Sequence, residues 1–70
     1  MVLHVKFKNP VAENGYIEFA TEVSNCFFYK DFLTFNLAKY QYNVPKIQYA
    51  NVEKLELDGV LKVLNGVYQG

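Results

Sequence analysis

The feature that most constrains this chain is a two-residue rhythm of apolar and polar side chains, cut at short intervals by turn pairs. Leu3, Val5 and Phe7 alternate with His4, Lys6 and Lys8. Successive side chains of a strand point to opposite faces, so such a segment is a strand buried on one side only. Asn9-Pro10 ends it, because proline brings no N–H to a ladder. Asn14-Gly15 reads as a turn, since both residues tolerate positive φ. The next strand runs from Tyr16 to Val23, with Ile17, Phe19, Thr21 and Val23 on one face. Ser24-Asn25 is expected to close a hairpin.

Residues 26–37 are the most apolar stretch. A tight turn at Lys30-Asp31 is expected to split them into strands 26–29 and 32–37; one long bent strand is the alternative. Ala38 to Asn43 is the least strand-like part and at most one helical turn. Ile47 to Tyr49 is a short strand. Residues 50–57 hold a turn or bulge followed by a strand from Val52 to Leu57, with a helix as the alternative. Asp58-Gly59 between alternating runs is a strong hairpin signal, and a type I′ turn there needs positive φ at both residues. Asn65-Gly66 turns the chain again before Val67-Tyr68. These strands and spacings predict an all-β fold. It is a single domain over residues 1–70, a small open barrel or two-layer roll of about six short antiparallel strands.

Composition narrows the functions. A chain of 70 residues is too short for a doubly wound nucleotide-binding fold or a two-domain cleft enzyme. Seven lysines balance seven carboxylates, and there is no arginine. Nucleic-acid affinity comes mostly from neutralised phosphates, and arginine supplies the bidentate fork for phosphate and guanine, so a nucleic-acid partner is not expected. One Cys and one His cannot supply a conventional zinc cluster, and a lone Cys cannot form an internal disulfide. No cofactor, metal or small-molecule substrate is implied. No apolar run approaches the ~18 residues of a membrane helix. The alternating N-terminal segment lacks the basic start and apolar core of a secretory signal, so the expected location is cytoplasmic. Residues with A/T-rich codons (Phe, Tyr, Met, Ile, Asn, Lys) make up 29 of the 70. That bias points to a low-GC bacterium or its phage.

Catalytic constellations are weak. Ser24, His4 and Asp31 or Asp58 form the one serine–histidine–aspartate set, of a kind any chain this size contains by chance. Cys26 heads the apolar run, where an inert buried thiol is the ordinary outcome. Glu18 and Glu22 lie ~13 Å apart along one strand, too far for a glycosidase pair. The protein is therefore expected not to be an enzyme.

Aromatic residues are the surplus, at 17% of the chain. Phe7, Phe19, Phe27 and Phe35 are expected to fill one small core. Phe28, Phe32, Tyr40, Tyr42 and Tyr49 are then left for the other face or the loops, and are the expected partner-binding residues. Exposed apolar patches mark interaction sites, and Tyr is enriched among interface anchors. The expected function is a non-enzymatic protein-binding module that acts as an inhibitor or adaptor, with a protein partner or self-association as a homodimer. A nucleic-acid-binding barrel and a structural subunit of a larger assembly are the alternatives.

Overall fold

A computed structural model describes residues 1–8, 17–39 and 46–70. Seven strands run through them: β1 (Val2–Phe7), β2 (Glu18–Phe28), β3 (Phe32–Leu37), β4 (Lys46–Gln48), β5 (Val52–Leu57), β6 (Val60–Leu64) and β7 (Val67–Tyr68). A single 3₁₀ turn over Tyr49–Asn51 joins β4 to β5. All pairings are antiparallel, in the order β4-β3-β2-β1-β5-β6-β7. The sheet curls into a half-barrel, in agreement with the all-β, small-barrel expectation.

The inner face carries the core. Leu3, Val5 and Phe7 of β1 pair with Leu57, Leu55 and Val52 of β5, and Leu55 pairs with Val63 of β6. Val23, Leu33, Phe35, Ile47 and Tyr49 complete the buried set. At about 25 cal/mol per Å² of apolar surface, burying each aliphatic side chain contributes ~2 kcal/mol.

Two expected turns are present in detail. Asp58 and Gly59 have φ of 51° and 80°, and Asn65 and Gly66 have φ of 49° and 82°, the positive values a two-residue hairpin turn needs. The Asp58 carboxylate also accepts the Val2 N–H at 2.8 Å, which ties the first of these turns to the start of β1. Lys30-Asp31 separates β2 from β3, so residues 26–37 are two strands. Residues 50–57 resolve into the end of the 3₁₀ turn and β5.

One expected turn is absent. Ser24-Asn25 does not close a hairpin; β2 continues through it to Phe28, with a register shift between Val23 and Asn25. This is a β-bulge, in which one extra residue enters a strand without ending the ladder. Turns and bulges both favour small polar residues, so the pair Ser-Asn does not distinguish them. The expected turn at Asn14-Gly15 and most of the segment from Ala38 to Asn43 lie outside the described residues.

Candidate interaction surface

The bulge decides which aromatic rings face outward. Side-chain direction in a strand has a period of two, so one extra residue exchanges the faces of everything beyond it. Before the bulge, the odd-numbered Phe19, Thr21 and Val23 share the inner face with β1's core residues. After it, Cys26 pairs with the buried Phe35 and Phe28 with the buried Leu33, so the even-numbered residues point inward. Phe27 is thus 51% exposed, while Phe28 is half-buried and packs on the core. The expected roles of these two neighbours are exchanged.

The outward set forms one group. Phe27 pairs across the ladder with Thr34, and Thr34 with Lys46. Tyr29, two residues after Phe27, donates its N–H to the Phe32 carbonyl at 2.8 Å. Their rings stack at 4.9 Å with an interplanar angle of 21°. The Lys46 ammonium lies 4.3 Å from the Phe32 ring centroid, a cation–π contact. Tyr29 is 50% exposed and Phe32 is half-buried. Phe27, Tyr29 and Phe32 therefore lie on one outward face, with Lys46 over Phe32.

A second aromatic group lies on the inner side, where the two edges of the sheet approach. The Tyr68 ring stacks on Phe28 at 5.3 Å and on Tyr49 at 5.5 Å. The Tyr49 hydroxyl donates to the Tyr29 carbonyl at 2.7 Å, so the inner stack is bonded to the backbone of the outer face. Burial raises the pKa of the Tyr49 phenol above its ordinary value. Lys62 sits 5.7 Å from the Phe28 ring. Beside this stack a cleft of about 620 Å³ is lined by residues that include Lys30, Asp31, Gln48 and Val67.

The expected binding residues thus divide. Phe32 is on the outer face. Phe28 supports the core from the inner side. Tyr49 is buried in the core rather than left for a partner: it has the parity of the buried Ile47, and its hydroxyl bonds to the Tyr29 carbonyl. Tyr40 and Tyr42 lie outside the described residues. The sequence reading missed Phe27 and Tyr29, and the signal that would have found them is the bulge.

The chemistry-bearing residues lie elsewhere. His4 is on the outer face of β1, with Nε2 2.7 Å from Glu18 Oε2 and Nδ1 3.6 Å from Glu56 Oε1. Lys6 pairs with Glu53 at 3.1 Å, which raises the lysine pKa, and Lys54 meets Glu56 at 4.0 Å. Ser24 donates to the Asn36 carbonyl at 3.4 Å. The Cys26 thiol is half-buried, and burial pushes it up to about 11, the opposite of what a nucleophile needs. Among the described residues, no group of three His, Cys, Asp or Glu side chains is placed to hold a metal ion, and no helix is long and apolar enough to cross a membrane.

Leu61, Leu64 and Val67 are also exposed and share the outer face of β6 and β7. Leu and Val are under-represented among interface anchors and aromatic residues enriched, so the aromatic face is the stronger candidate. No protein family, curated protein or solved structure matches this chain.

Proposed function

We propose that this protein is a non-enzymatic polypeptide-binding module whose contact surface is the outer aromatic face of β2, β3 and β4. The observation that carries the reading is the outward group of exposed Phe27 and Tyr29 with half-buried Phe32, in which Tyr29 and Phe32 are held by a ring stack, a ladder hydrogen bond and the cation–π contact of Lys46. Rings that are already ordered lose little conformational freedom on binding, which favours their use as anchors. A stoichiometric inhibitor or adaptor in the cytoplasm of a low-GC bacterium or its phage-infected host fits this surface, the chain's size and its coding bias. A nucleic-acid-binding barrel is the second reading, because aromatic rings on a sheet face beside a lysine also serve as stacking platforms for bases.

The test is capture from a host lysate with the parent protein and with a Phe27→Ser, Tyr29→Ser variant. Both positions are about half exposed, so the variant is expected to fold. The parent should retain a specific polypeptide and the variant should lose it. Equal capture by both proteins removes the aromatic face from the function. Retention of the parent on heparin at low salt, released by nuclease-resistant oligonucleotide, would favour the nucleic-acid reading instead.

A further inference from the structure

We infer that the aromatic face takes an acidic polypeptide segment, with a carboxylate directed at Lys46 and apolar side chains laid on Phe27 and Tyr29. This rests on the polypeptide-binding reading above and adds the chemistry of the partner. Charge is distributed unequally over the outer surface of the sheet. On the outer face of β1 and β5 the charged groups answer one another: His4 with Glu18 and Glu56, Lys6 with Glu53, Lys54 with Glu56. On the outer face of β2's second half, β3 and β4, the outward positions are Asn25, Phe27, Tyr29, Phe32, Thr34, Asn36, Lys46 and Gln48. Lys46 is the one charged residue in that set. Lys30, in the adjoining turn, is exposed, as is its neighbour Asp31. Lys30 and Asp31 both line the cleft on the inner side, and Asp31 contributes electrostatically to Tyr49, so Lys46 is the charge that the outer face itself presents. Among the described residues, neither Lys30 nor Lys46 makes an ion pair.

The alternatives fit this face less well. A second copy docking through the same patch would set Lys46 near Lys46, since a two-fold contact pairs a surface with itself. A nucleic acid would need free ring faces. The Phe32 ring already has Tyr29 stacked on it and an ammonium over it. A carboxylate is satisfied by the edge of this arrangement, where the lysine head is held on the surface above the ring.

The experiment is an amide chemical-shift titration of the full chain with three probes: a short peptide alternating Glu and Leu, its counterpart alternating Lys and Leu, and oligothymidylate. The expected result is perturbation around residues 27–34 and 46 by the Glu peptide alone, weakening as salt is raised. A Lys46→Glu variant should bind the Glu peptide about fivefold or more weakly with its fold unchanged. If both peptides bind this face alike, and Phe27→Ser weakens both, the polypeptide-binding reading stands and the acidic partner is wrong. If neither peptide perturbs the face, both fall. Perturbation of this face by oligothymidylate, or its concentration-dependent broadening in the protein alone, overturns the proposal in favour of nucleic acid or a second copy.

Discussion

The two halves of β2 obey opposite rules. From Glu18 to Val23 the strand turns its odd-numbered residues inward and shows Glu18, Ala20 and Glu22 to solvent. From Asn25 to Phe28 it turns even-numbered residues inward, and Phe27 faces out with Tyr29 just beyond. The outer surface changes character at the same place. Beside the first half it is a net of short-range ion pairs; beside the second it is aromatic with a single lysine. One inserted residue therefore does more than bend a strand. It determines whether the sequence Phe27-Phe28-Tyr29 offers one ring to solvent or two.

The largest test of that contrast is removal of the inserted residue. Deleting Ser24 forces the second half of β2 into the parity of the first, putting Phe27 inside and Cys26 and Phe28 outside, or else breaks the pairing with β3. A loss of ~4 kcal/mol or more is expected, read by urea denaturation. An unchanged midpoint would mean that the bulge does not control the faces.

Next comes truncation on either side of it. Phe28→Ala removes a ring packed on the core and on Tyr68, and is expected to cost ~2 kcal/mol, below the range for a fully buried Phe because the ring is half-buried. Phe27→Ala should stay within ~0.5 kcal/mol. Equal losses at the two positions would show that both rings are buried and that the outer aromatic face does not exist.

The two glycine turns refine the comparison at the far side of the sheet. Gly59 and Gly66 have nearly equal positive φ, so an added Cβ is strained by ~1 kcal/mol at each. At Gly59 it would meet nothing within 4 Å. At Gly66 it would lie 3.1 Å from Lys8 Nζ, 3.3 Å from the Tyr49 carbonyl oxygen and 3.5 Å from Ala50 Cα. The lysine can move but the 3₁₀ backbone resists, so Gly66→Ala should exceed Gly59→Ala by about 1 kcal/mol. A reversal would place β7 away from the 3₁₀ turn.

The smallest effect at neutral pH concerns the inner side of the bulge. Cys26 and Tyr49 are acids whose neutral forms burial favours. The unfolded chain loses its thiol proton first, near pH 9, while the folded chain holds it to about 11. The unfolded state then binds fewer protons, so stability falls as pH rises through that window. Denaturation at a series of pH values should show a shallower fall in Cys26→Ala. Slow labelling of the native thiol at neutral pH, fast after unfolding, is the companion observation. Rapid native labelling would put Cys26 on the surface and reverse the assignment of faces.

Much of this was legible in the residues, and for physical reasons. Leu3-Val5-Phe7 and Leu33-Phe35 alternate because each strand has one wet face, and Asp58-Gly59 and Asn65-Gly66 carry the residues that tolerate positive φ. The expectation failed where identical chemistry serves two geometries. Ser24-Asn25 suits a turn and a bulge equally, and every face assignment beyond it depended on that choice. Tyr49 was expected to be surplus to the core, although the alternation Ile47-Gln48-Tyr49 gives it the parity of the buried Ile47, and its ring is buried. The choice of bulge over turn is not encoded locally, and the inward parity of Tyr49 does not by itself say that the core has room for the ring. Each is settled by partners distant in the chain: β3 for the bulge, Tyr68 and the Tyr29 carbonyl for Tyr49.

The central place of β1 has a consequence for how the chain reaches this structure. β1 lies between β2 and β5, and Leu3 pairs with Leu57, so the first strand of the sequence waits for the fifth. The hairpins of β2–β3 and of β5, β6 and β7 close over short loops and can form within microseconds. Joining them through β1 requires a long loop to close before any contact rewards it, which places folding among the slow, millisecond-to-second cases. Until that step, Leu3, Val5 and Phe7 have only one neighbouring strand and their apolar side chains stand open. Substitutions at the β1–β5 seam should therefore slow refolding, whereas those in β7 should mainly speed unfolding.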